Sequence, residues 1–562
     1  MWGMFMFTSL QLNVVHASAS KPAERRNTDR PILLVGFQHQ GNLGLGYLAS
    51  TLKEAGYRVV TCDFEAPTQS IVETARQIDP IIIGFSLIFQ FYVERFALLM
   101  RSLRASGCHS HFTIGGHFPS LSPVETLKLV PEVDSVVRFE GEMTLLEMAD
   151  LIGADDEWRN VQGIAYRAAG EVVTNHLRPL IEDLDCLPYP ERNFEPEKAL
   201  GRRALPLLAS RGCARTCSFC SIQTFYRMAP GKIVRTRKPA KVVEEMHKLH
   251  EERDISIFLF QDDDFPLFGP VWKRWAEEFV QELHNSGLVG RMIWKINCRA
   301  DAVDPELFAK MRDAGLYLVY MGLESGNEEG LKTLHKQVTV EQNLRAVKIL
   351  KEVGLLFEFG FMLFDPSSTL DSVRENLNFL RHILSDGCAA AVFCRMLPYE
   401  GTPIKDELER NGRLRGDICH PDYDFLDPRV TALYSALSQT LDVWGWIHGY
   451  RALSPQLNWA WNEVAIISRL FPKLPDFPEY QLKLRFITAV SNASLFEIVD
   501  DLITYAETGK RLKWTPFALH SMRRQFLDQL LRERDAFISR HQNKLMGALH
   551  PEASALEDSL RV

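Results

Sequence analysis

The feature that most constrains the fold is a regular alternation, from residue 31 onward, of largely apolar runs with amphipathic segments of ten or more residues. The runs are apolar along most of their length rather than at every second position, which predicts strands buried on both faces of a parallel, helix-covered sheet. They read PILLVGF, YRVVTCDF, IIIGFSL, HFTIGG and DSVVRFEGE. Residues 31–155 therefore predict a doubly wound, Rossmann-like α/β domain, which binds ligands at the carboxyl ends of its strands.

A second alternating region spans residues 203–408, where six strand-like runs are separated by helical segments. Six such units predict a partial (β/α)6 barrel of the TIM type, with its functional loops after the strands. Residues 156–202 combine a hairpin pattern with proline-rich sequence and predict a linker. Residues 409–562 predict a mainly helical C-terminal domain. Its aromatic residues could shape a pocket or simply form a core, and they include Trp444, Trp446, Tyr450, Trp459 and Trp461.

Length and composition narrow the possible classes of protein. A chain of 562 residues suggests about three domains. The formal net charge is −8 with no long basic run, which argues against nucleic acid as a partner. Residues 1–20 imitate a signal peptide but lack its basic start, so a disordered leader is expected over residues 1–30. The longest apolar run elsewhere, at 80–93, is too short to span a bilayer, and we expect a cytoplasmic protein without integral membrane segments.

Three of the ten cysteines lie together in the octet CARTCSFC, at Cys213, Cys217 and Cys220. The other seven are scattered, as buried small apolar residues would be. Three clustered thiolates need a metal to balance their charge. A zinc site usually offers a further ligand nearby, whereas an iron–sulfur cluster can leave one iron open. The spacing therefore favours an iron–sulfur cluster, with zinc and a redox-active or chance grouping as the alternatives.

The octet resembles the signature of the radical S-adenosylmethionine (SAM) superfamily, and other segments resemble that family in order. They are FLFQDDDF at 258–265, INCRAD at 296–301, MGLESGN at 321–327 and LPYEGTP at 397–403. The resemblance implies a [4Fe–4S] cluster held by the three cysteines, with SAM bound at the open iron. It also implies that SAM is cleaved to a 5′-deoxyadenosyl radical that abstracts hydrogen from a substrate.

The same resemblance implies SAM-binding residues within these motifs, namely Phe219, Gln261, Asp262, Arg299, Glu324 and Ser325. Gln261 and Asp262 would receive the methionine ammonium group, although a run of three aspartates could also merely solvate a loop. Arg299 would pair with the SAM carboxylate, which suits guanidinium geometry, or lie on the surface. Glu324 would accept hydrogen bonds from the ribose diol, or form a salt bridge at the end of a strand.

The first domain resembles the cobalamin-binding domain of one branch of this superfamily. The resemblance implies that the loops after its strands contact cobalamin through Gly41, Asn42, Leu43, Ser86, Gly115, Gly116, His117, Glu140 and Gly141. The Asp-x-His-x-x-Gly motif that supplies a cobalt ligand elsewhere is absent, because Phe37 precedes His39 where the aspartate should be. A nucleotide- or flavin-binding fold is the alternative, but no GxGxxG fingerprint is present.

These resemblances predict a cobalamin-dependent radical SAM enzyme, most simply a methyltransferase that acts on an unactivated carbon of a small molecule. A radical cyclase or rearrangement enzyme with the same cofactors is the alternative within this class. A cobalamin- and iron-sensing regulator without turnover is the alternative outside it. The implied partners are a small-molecule substrate and an electron donor such as flavodoxin or ferredoxin.

Overall fold

A computed structural model describes residues 30–38, 41–442, 445–447 and 452–546. The predicted leader, apart from Arg30, lies outside these ranges, as do His39, Trp444 and Tyr450. Two seven-stranded sheets organise the described chain.

The first sheet has the strand order β2-β1-β3-β4-β5-β6-β7. Its first five strands are parallel, and an antiparallel hairpin extends it beyond β5. The strands are β1 (Ile32–Gly36), β2 (Val59–Asp63), β3 (Ile82–Ser86), β4 (His111–Gly115), β5 (Ser135–Val137), β6 (Ile164–Ala168) and β7 (Glu171–Thr174). Residues 156–202, predicted as a linker, thus contribute two strands to this sheet.

Helices cover both faces of the first sheet, which confirms the predicted doubly wound fold. They are α1 (Leu43–Glu54), α2 (Thr68–Ile78), α3 (Val93–Ala105), α4 (His117–Leu121), α5 (Pro123–Leu129) and α6 (Glu142–Gly153). Leu45 of α1 and Leu145 of α6 belong to a buried cluster on one face, while Ile71 of α2 and Phe96 of α3 belong to a larger cluster on the other. Asn42 caps α1 by accepting a hydrogen bond from the amide of Leu45.

The second sheet has the order β16-β15-β14-β13-β12-β9-β8, and its two end strands do not pair with each other. Six strands are parallel and β8 is antiparallel, so the predicted partial barrel is confirmed. Two short ribbons, β10–β11 and β17–β18, flank it. The strands are β8 (Glu197–Ala199), β9 (Arg202–Leu207), β10 (Ser210–Arg211), β11 (Arg235–Thr236), β12 (Ile255–Phe260), β13 (Ile293–Arg299), β14 (Leu316–Glu324), β15 (Leu356–Phe364), β16 (Cys394–Arg395), β17 (Leu414–Gly416) and β18 (Pro421–Tyr423).

Eight helices accompany the second sheet in the described chain. They are α7 (Ser221–Met228), α8 (Pro239–Arg253), α9 (Pro270–Ser286), α10 (Pro305–Asp313), α11 (Glu328–Thr333), α12 (Val340–Val353), α13 (Leu370–Leu384) and α14 (Pro403–Arg410). Proline begins four of them, where its missing N–H costs no helical hydrogen bond. Thr339 and Gln342 form a capping box at the start of α12, which fixes where that helix begins.

The C-terminal part is helical, as predicted, and shares one hydrophobic core with the second sheet. Its helices are α15 (Pro428–Leu437), α16 (Leu453–Leu470), α17 (Phe477–Thr508) and α18 (Pro516–Leu545). Trp446 and Trp461 are buried in this core, whereas Trp459 is exposed. In the part of the chain that the structure describes, no helix is both long enough and apolar enough to cross a membrane.

Candidate functional site

The loop with the three clustered cysteines connects β10 to α7, beyond the carboxyl end of β9. Two other segments hold it in place. The amide of Ser218 donates to the carbonyl of Leu334 at 3.0 Å, and its carbonyl accepts from the amide of Ile404 at 3.0 Å. The side chain of Gln337 donates to the hydroxyl of Thr216 at 3.0 Å. The segment between α11 and α12 and the start of α14 therefore fix the position of the loop.

The thiols of this loop are free and largely shielded from solvent. Burial raises the pKa of Cys213 to about 12, and the nearby Asp264 carboxylate adds to the effect. Burial also raises the pKa of Cys220 to about 11. Protein groups alone would thus leave both thiols protonated at neutral pH, and a metal centre would supply the positive charge that thiolates need. This donor set fits an iron–sulfur cluster.

Among the described residues, no three His, Cys, Asp or Glu side chains converge in a way that suits a single metal ion. The thiolates of a multi-iron cluster ligate different irons, so close convergence on one point is not required of them.

Arg299 lies beside the cysteine loop at the end of β13. Its Nη1 atom is 3.7 Å from the Sγ atom of Cys217. Its Nε atom donates to Asp301 at 3.0 Å, and Arg215 of the cysteine loop pairs with the same carboxylate at 2.9 Å. The predicted SAM-carboxylate role of Arg299 thus falls at a suitable position, next to a thiol and with a buried guanidinium.

Two of the three aspartates after β12 tie that strand to the segment around β10 and to the start of the cysteine loop. Both carboxylate oxygens of Asp262 accept from the amide of Ala209, each at 3.2 Å, and the hydroxyl of Ser210 donates to one of them. Asp263 accepts from the amide of Gly212 at 3.0 Å. Burial raises the pKa of Asp262 to about 7, and these donors oppose the shift. Asp262 therefore already has hydrogen-bond partners within the chain, while Gln261 and Asp263 face the cleft described below.

Glu324 ends β14 with a left-handed backbone, φ 63°, and pairs with Lys336. The two charged atoms are 2.9 Å apart, and both side chains are buried. Lys336 lies between two further non-glycine residues with positive φ, His335 and Gln337. Sequence reasoning missed Lys336, because nothing in its neighbourhood signals that this loop folds back toward the cysteines.

Two of the predicted SAM-binding residues, Ser325 and Phe219, make their main contacts with other parts of the barrel. The hydroxyl of Ser325 donates to the side chain of Asn376 on α13, 2.9 Å away, and Ser325 is fully buried there. Phe219 packs against the hydrophobic core of the barrel. Their SAM-binding roles remain predictions.

A cleft of about 280 Å³ lies between the first sheet and the barrel. The loops after the first-sheet strands form one wall, and the beginning of the barrel forms the other. Seven predicted cobalamin residues line it, namely Asn42, Ser86, Gly115, Gly116, His117, Glu140 and Gly141. Barrel residues opposite them include Leu208, Ser210, Arg211, Phe225, Tyr226, Gln261 and Asp263.

Gly41 and Leu43 do not line the cleft. Gly41 has φ 67°, and a Cβ atom there would lie 2.7 Å from Pro206 of the barrel. Leu43 packs with Tyr47 and Leu187. Gly41 therefore serves the close approach of the two halves, and Leu43 a small core between them, while their predicted contact with cobalamin stays untested.

His117 projects into the cleft, and its ring centroid lies 4.6 Å from that of Phe225. Burial lowers its pKa to about 4, which keeps the imidazole neutral. No hydrogen bond of its ring nitrogens occurs within the described residues. A neutral imidazole with free donor and acceptor positions suits a ligand rich in amide groups, as the corrin periphery is, so the lining fits cobalamin.

Glu140 joins the two halves through a buried ionic network. Its carboxylate pairs with Arg211 at 3.2 Å and with Arg235 at 2.8 Å, and it accepts from the amide of Ile181 at 2.7 Å. Glu142 pairs with Arg211 at 2.7 Å. These partners occupy much of the hydrogen-bonding capacity of the Glu140 carboxylate, so its main contacts in the structure are with the barrel.

Comparisons with known proteins agree with this site. A family model described as "Radical SAM superfamily" matches residues 207–380, and one described as "B12 binding domain" matches residues 31–149. An uncharacterized methyltransferase of Pyrococcus horikoshii is 28% identical over 377 residues, covering 66% of this chain and 79% of the relative. The anaerobic magnesium-protoporphyrin IX monomethyl ester cyclase of Rubrivivax gelatinosus is 31% identical over 404 residues, covering 68% of each chain.

Solved structures show the same fold. The cobalamin-dependent SAM radical enzyme OxsB, with aqua-cobalamin bound, superposes with a TM-score of 0.64 at 19% identity, covering 91% of this chain and 81% of that one. The radical SAM methyltransferase TsrM of Kitasatospora setae gives 0.57 at 20% identity, covering 68% and 75%.

The fold and the cysteine loop define a radical SAM enzyme. More narrowly, the chain belongs to the cobalamin-dependent branch of the radical SAM superfamily. Its cofactors are a [4Fe–4S] cluster, SAM and cobalamin, which settles the sequence-based choice against zinc and against a nucleotide- or flavin-binding first domain.

Proposed function

We propose that this enzyme is a methyltransferase that methylates an unactivated carbon of a small molecule. The observation that carries the proposal is the single cleft lined by both halves of the molecule. One wall holds the predicted cobalamin residues, and the other includes Arg211, which lies two residues before Cys213. A methyl carrier and a radical source would thus face one shared cleft, as radical methylation requires.

The residues would divide the work as follows. Cys213, Cys217 and Cys220 would hold the cluster, and Arg299 and Glu324 would orient SAM through its carboxylate and ribose. When bound, these cofactors supply a 5′-deoxyadenosyl radical and a transferable methyl group, and the protein supplies position and exclusion of water. The neutral His117 and the apolar surface of Phe225 would contact cobalamin without titrating near neutral pH.

Several relatives support methylation. Besides the Pyrococcus horikoshii protein, they include the cytidylyl-2-hydroxyethylphosphonate methyltransferase of Streptomyces wedmorensis, 27% identical over 441 residues, which covers 66% of this chain and 78% of the relative. The hopanoid C-3 methylase of Methylococcus capsulatus is 24% identical over 371 residues, covering 64% and 67%. Their named substrates differ widely, so similarity to them does not specify a substrate for this chain.

A radical cyclase with the same cofactors is the second candidate. The Rubrivivax gelatinosus relative, named as a cyclase, favours it through its 31% identity. A rearrangement such as a ring contraction belongs to the same alternative. In this case SAM would serve only as the source of the radical, and no methyl group would leave it.

The two functions can be separated without knowing the substrate. We would reconstitute the enzyme anaerobically, add cobalamin, SAM and a chemical reductant, and measure S-adenosylhomocysteine and 5′-deoxyadenosine by mass spectrometry. A methyltransferase should form both products, because each SAM that donates methyl leaves S-adenosylhomocysteine. Formation of 5′-deoxyadenosine alone would contradict methylation and support the cyclase.

The remaining expectations belong to the same proposal. Cleavage of SAM at the cluster requires one electron, which a flavodoxin or ferredoxin would supply in the cytoplasm. The substrate would be a small molecule, since the cleft has a volume of only about 280 Å³ and the net charge of −8 gives no sign of a nucleic-acid partner.

A further inference from the structure

The inner surface of the half barrel carries three polar residues on three adjacent strands, Lys295, Tyr320 and Glu358, which we name the lumen cluster. Tyr320 of β14 lies opposite Glu358 of β15 in the parallel register. Lys295 lies on the other side of β14, on β13, with its Nζ atom 5.6 Å from the centre of the Tyr320 ring. The three side chains therefore converge inside the barrel.

Alternation along the strands places these residues on the inner face. Their neighbours in sequence are buried in the outer core, among them Trp294 and Phe357. Trp294 packs at 5.3 Å between ring centres against Phe279 of α9, on the helix-covered side. Side chains at every second position point the opposite way, into the lumen. Tyr320 retains 37% of its exposure in the middle of a central strand, so open space lies beside it.

Lys295 and Glu358 have opposite charges, yet neither makes an ion pair or hydrogen bond with any described residue. Burial lowers the pKa of Lys295 and raises that of Glu358, and each group partly opposes the shift of the other. Lys295 and Glu358 are half-buried rather than buried, so the open lumen gives water or a ligand access to them. Charges that are fully shielded from water are normally paired, because leaving them unpaired costs stability. The buried pair between Glu324, at the end of β14, and Lys336 follows that rule.

Gly360 keeps the lumen open next to the cluster. A Cβ atom at this glycine would lie 2.8 Å from the Tyr320 hydroxyl, so any larger residue would displace the phenol. The hydroxyl itself has no hydrogen-bond partner among the described residues. The lumen thus offers an ammonium group, a carboxyl group and a hydroxyl group, none of which has an ion-pair or hydrogen-bond partner among the described residues.

The lumen cluster also points toward the reacting centre. Lys295 and Arg299 lie on the same face of β13, four residues or about 13 Å apart along the strand. Arg299 is the residue that reaches Cys217. A small molecule anchored at Lys295 would therefore extend up the lumen toward the cysteine loop.

We propose that the lumen cluster binds the polar head of the substrate, and that this head has an anionic group beside an amine or hydroxyl, as in amino acids and hydroxy acids. The anionic group would pair with Lys295, and the amine or hydroxyl would donate to Glu358. This inference rests on the proposed function, because it assigns a substrate class to the same site.

The test uses three matched probes on one scaffold: L-phenylalanine, 3-phenylpropionate and phenethylamine. Their binding to the reconstituted holoenzyme would be measured by ligand-observed NMR. We expect L-phenylalanine to bind best, and Lys295→Met to weaken both carboxylate probes at least tenfold without weakening phenethylamine. Glu358→Gln should weaken the two amine probes instead. Lys310→Met, at an exposed surface pair, is the matched control and should leave all three unchanged.

A second measurement separates binding from a structural role. Lys295→Met and Glu358→Gln should each leave Tm of the ligand-free protein within about 2 °C of wild type, since half-buried groups without an ion pair or hydrogen bond contribute little to the fold. Residues needed for the fold would lower it. Iron and cobalamin contents equal to wild type would show that the variants fold.

The proposal is overturned if none of the probes binds, if the variants leave the probe preferences unchanged, or if both variants lower Tm by more than about 2 °C. These results do not depend on methyl transfer. Correct probe selectivity without S-adenosylhomocysteine formation would contradict the methyltransferase and leave the lumen cluster standing. S-adenosylhomocysteine formation with unchanged selectivity would support the methyltransferase and contradict the proposed role of the lumen cluster.

Discussion

Glu140 shows how a single residue can connect the two halves of the enzyme. It lies in the first domain, but its ionic partners Arg211 and Arg235 belong to the barrel. The sequence predicts that Glu140 follows β5 and that it contacts cobalamin, but it does not predict these ion pairs. Its partners follow it by 71 and 95 residues, and no local pattern indicates pairing over such a distance.

Replacing Glu140 with Gln should destabilise the protein by about 3 kcal/mol, because breaking a buried ion pair leaves an uncompensated charge. The uncompensated charge would be that of Arg235, since Glu140 is its ionic partner and two of its guanidinium nitrogens already lack hydrogen bonds. The measurement is the urea midpoint of unfolding. Glu277→Gln, which breaks an exposed pair, is the control and should change stability by less than about 1 kcal/mol. Equal effects of the two changes would contradict the network.

Gly116 shows why one glycine at the carboxyl end of β4 is required. It has φ 111°, and a Cβ atom would lie 2.1 Å from the carbonyl oxygen of Leu87. Gly116→Ala should therefore displace the loop before His117 and reduce bound cobalamin at least tenfold, with iron content retained. The matched control is Gly107→Ala, which also has positive φ, 86°, but no atom within 4 Å. Cobalamin content, read from the optical spectrum of the reconstituted protein, should be normal in the control, and loss in both variants would contradict this account.

The sequence predicts helices and strands better than it predicts the contacts between them. The strand β3, for example, is apolar along its length because helices cover both faces of the first sheet, and burial on both faces leaves a readable pattern. The last predicted barrel strand, by contrast, pairs only at Cys394–Arg395, because an edge strand has one neighbour and its pattern does not set its length. The left-handed backbone of Glu324 was also beyond prediction, since such residues are usually glycine.

The segment between α11 and α12 acts as one unit that contacts the cysteine loop and Glu324. Lys336→Met would remove the partner of the buried Glu324 and disturb both contacts. We expect the rate of SAM cleavage to 5′-deoxyadenosine to fall at least tenfold while iron content stays near wild type. Lys332→Met, at a neighbouring exposed lysine, is the control and should keep the wild-type rate. A wild-type rate in Lys336→Met would show that this lysine has no part in the SAM site.

At the scale of the whole molecule, the sequence predicts the order of the domains along the chain. It does not predict how the domains pack against one another. The predicted bounds, 31–155, 156–202, 203–408 and 409–562, remain predictions. The hairpin β6–β7 completes the first sheet, and the C-terminal helices complete the barrel core. Such sharing depends on contacts between distant parts of the sequence, and local composition does not encode them.

The central claim is that Cys213, Cys217 and Cys220 hold a cluster at which SAM is cleaved. Its most direct test is anaerobic reconstitution of wild type and Cys217→Ala, followed by iron analysis and measurement of 5′-deoxyadenosine after reduction with SAM. The account predicts about four irons per wild-type chain. It also predicts 5′-deoxyadenosine from wild type and none from the variant. Wild type without iron, or a variant that cleaves SAM as fast as wild type, would contradict it.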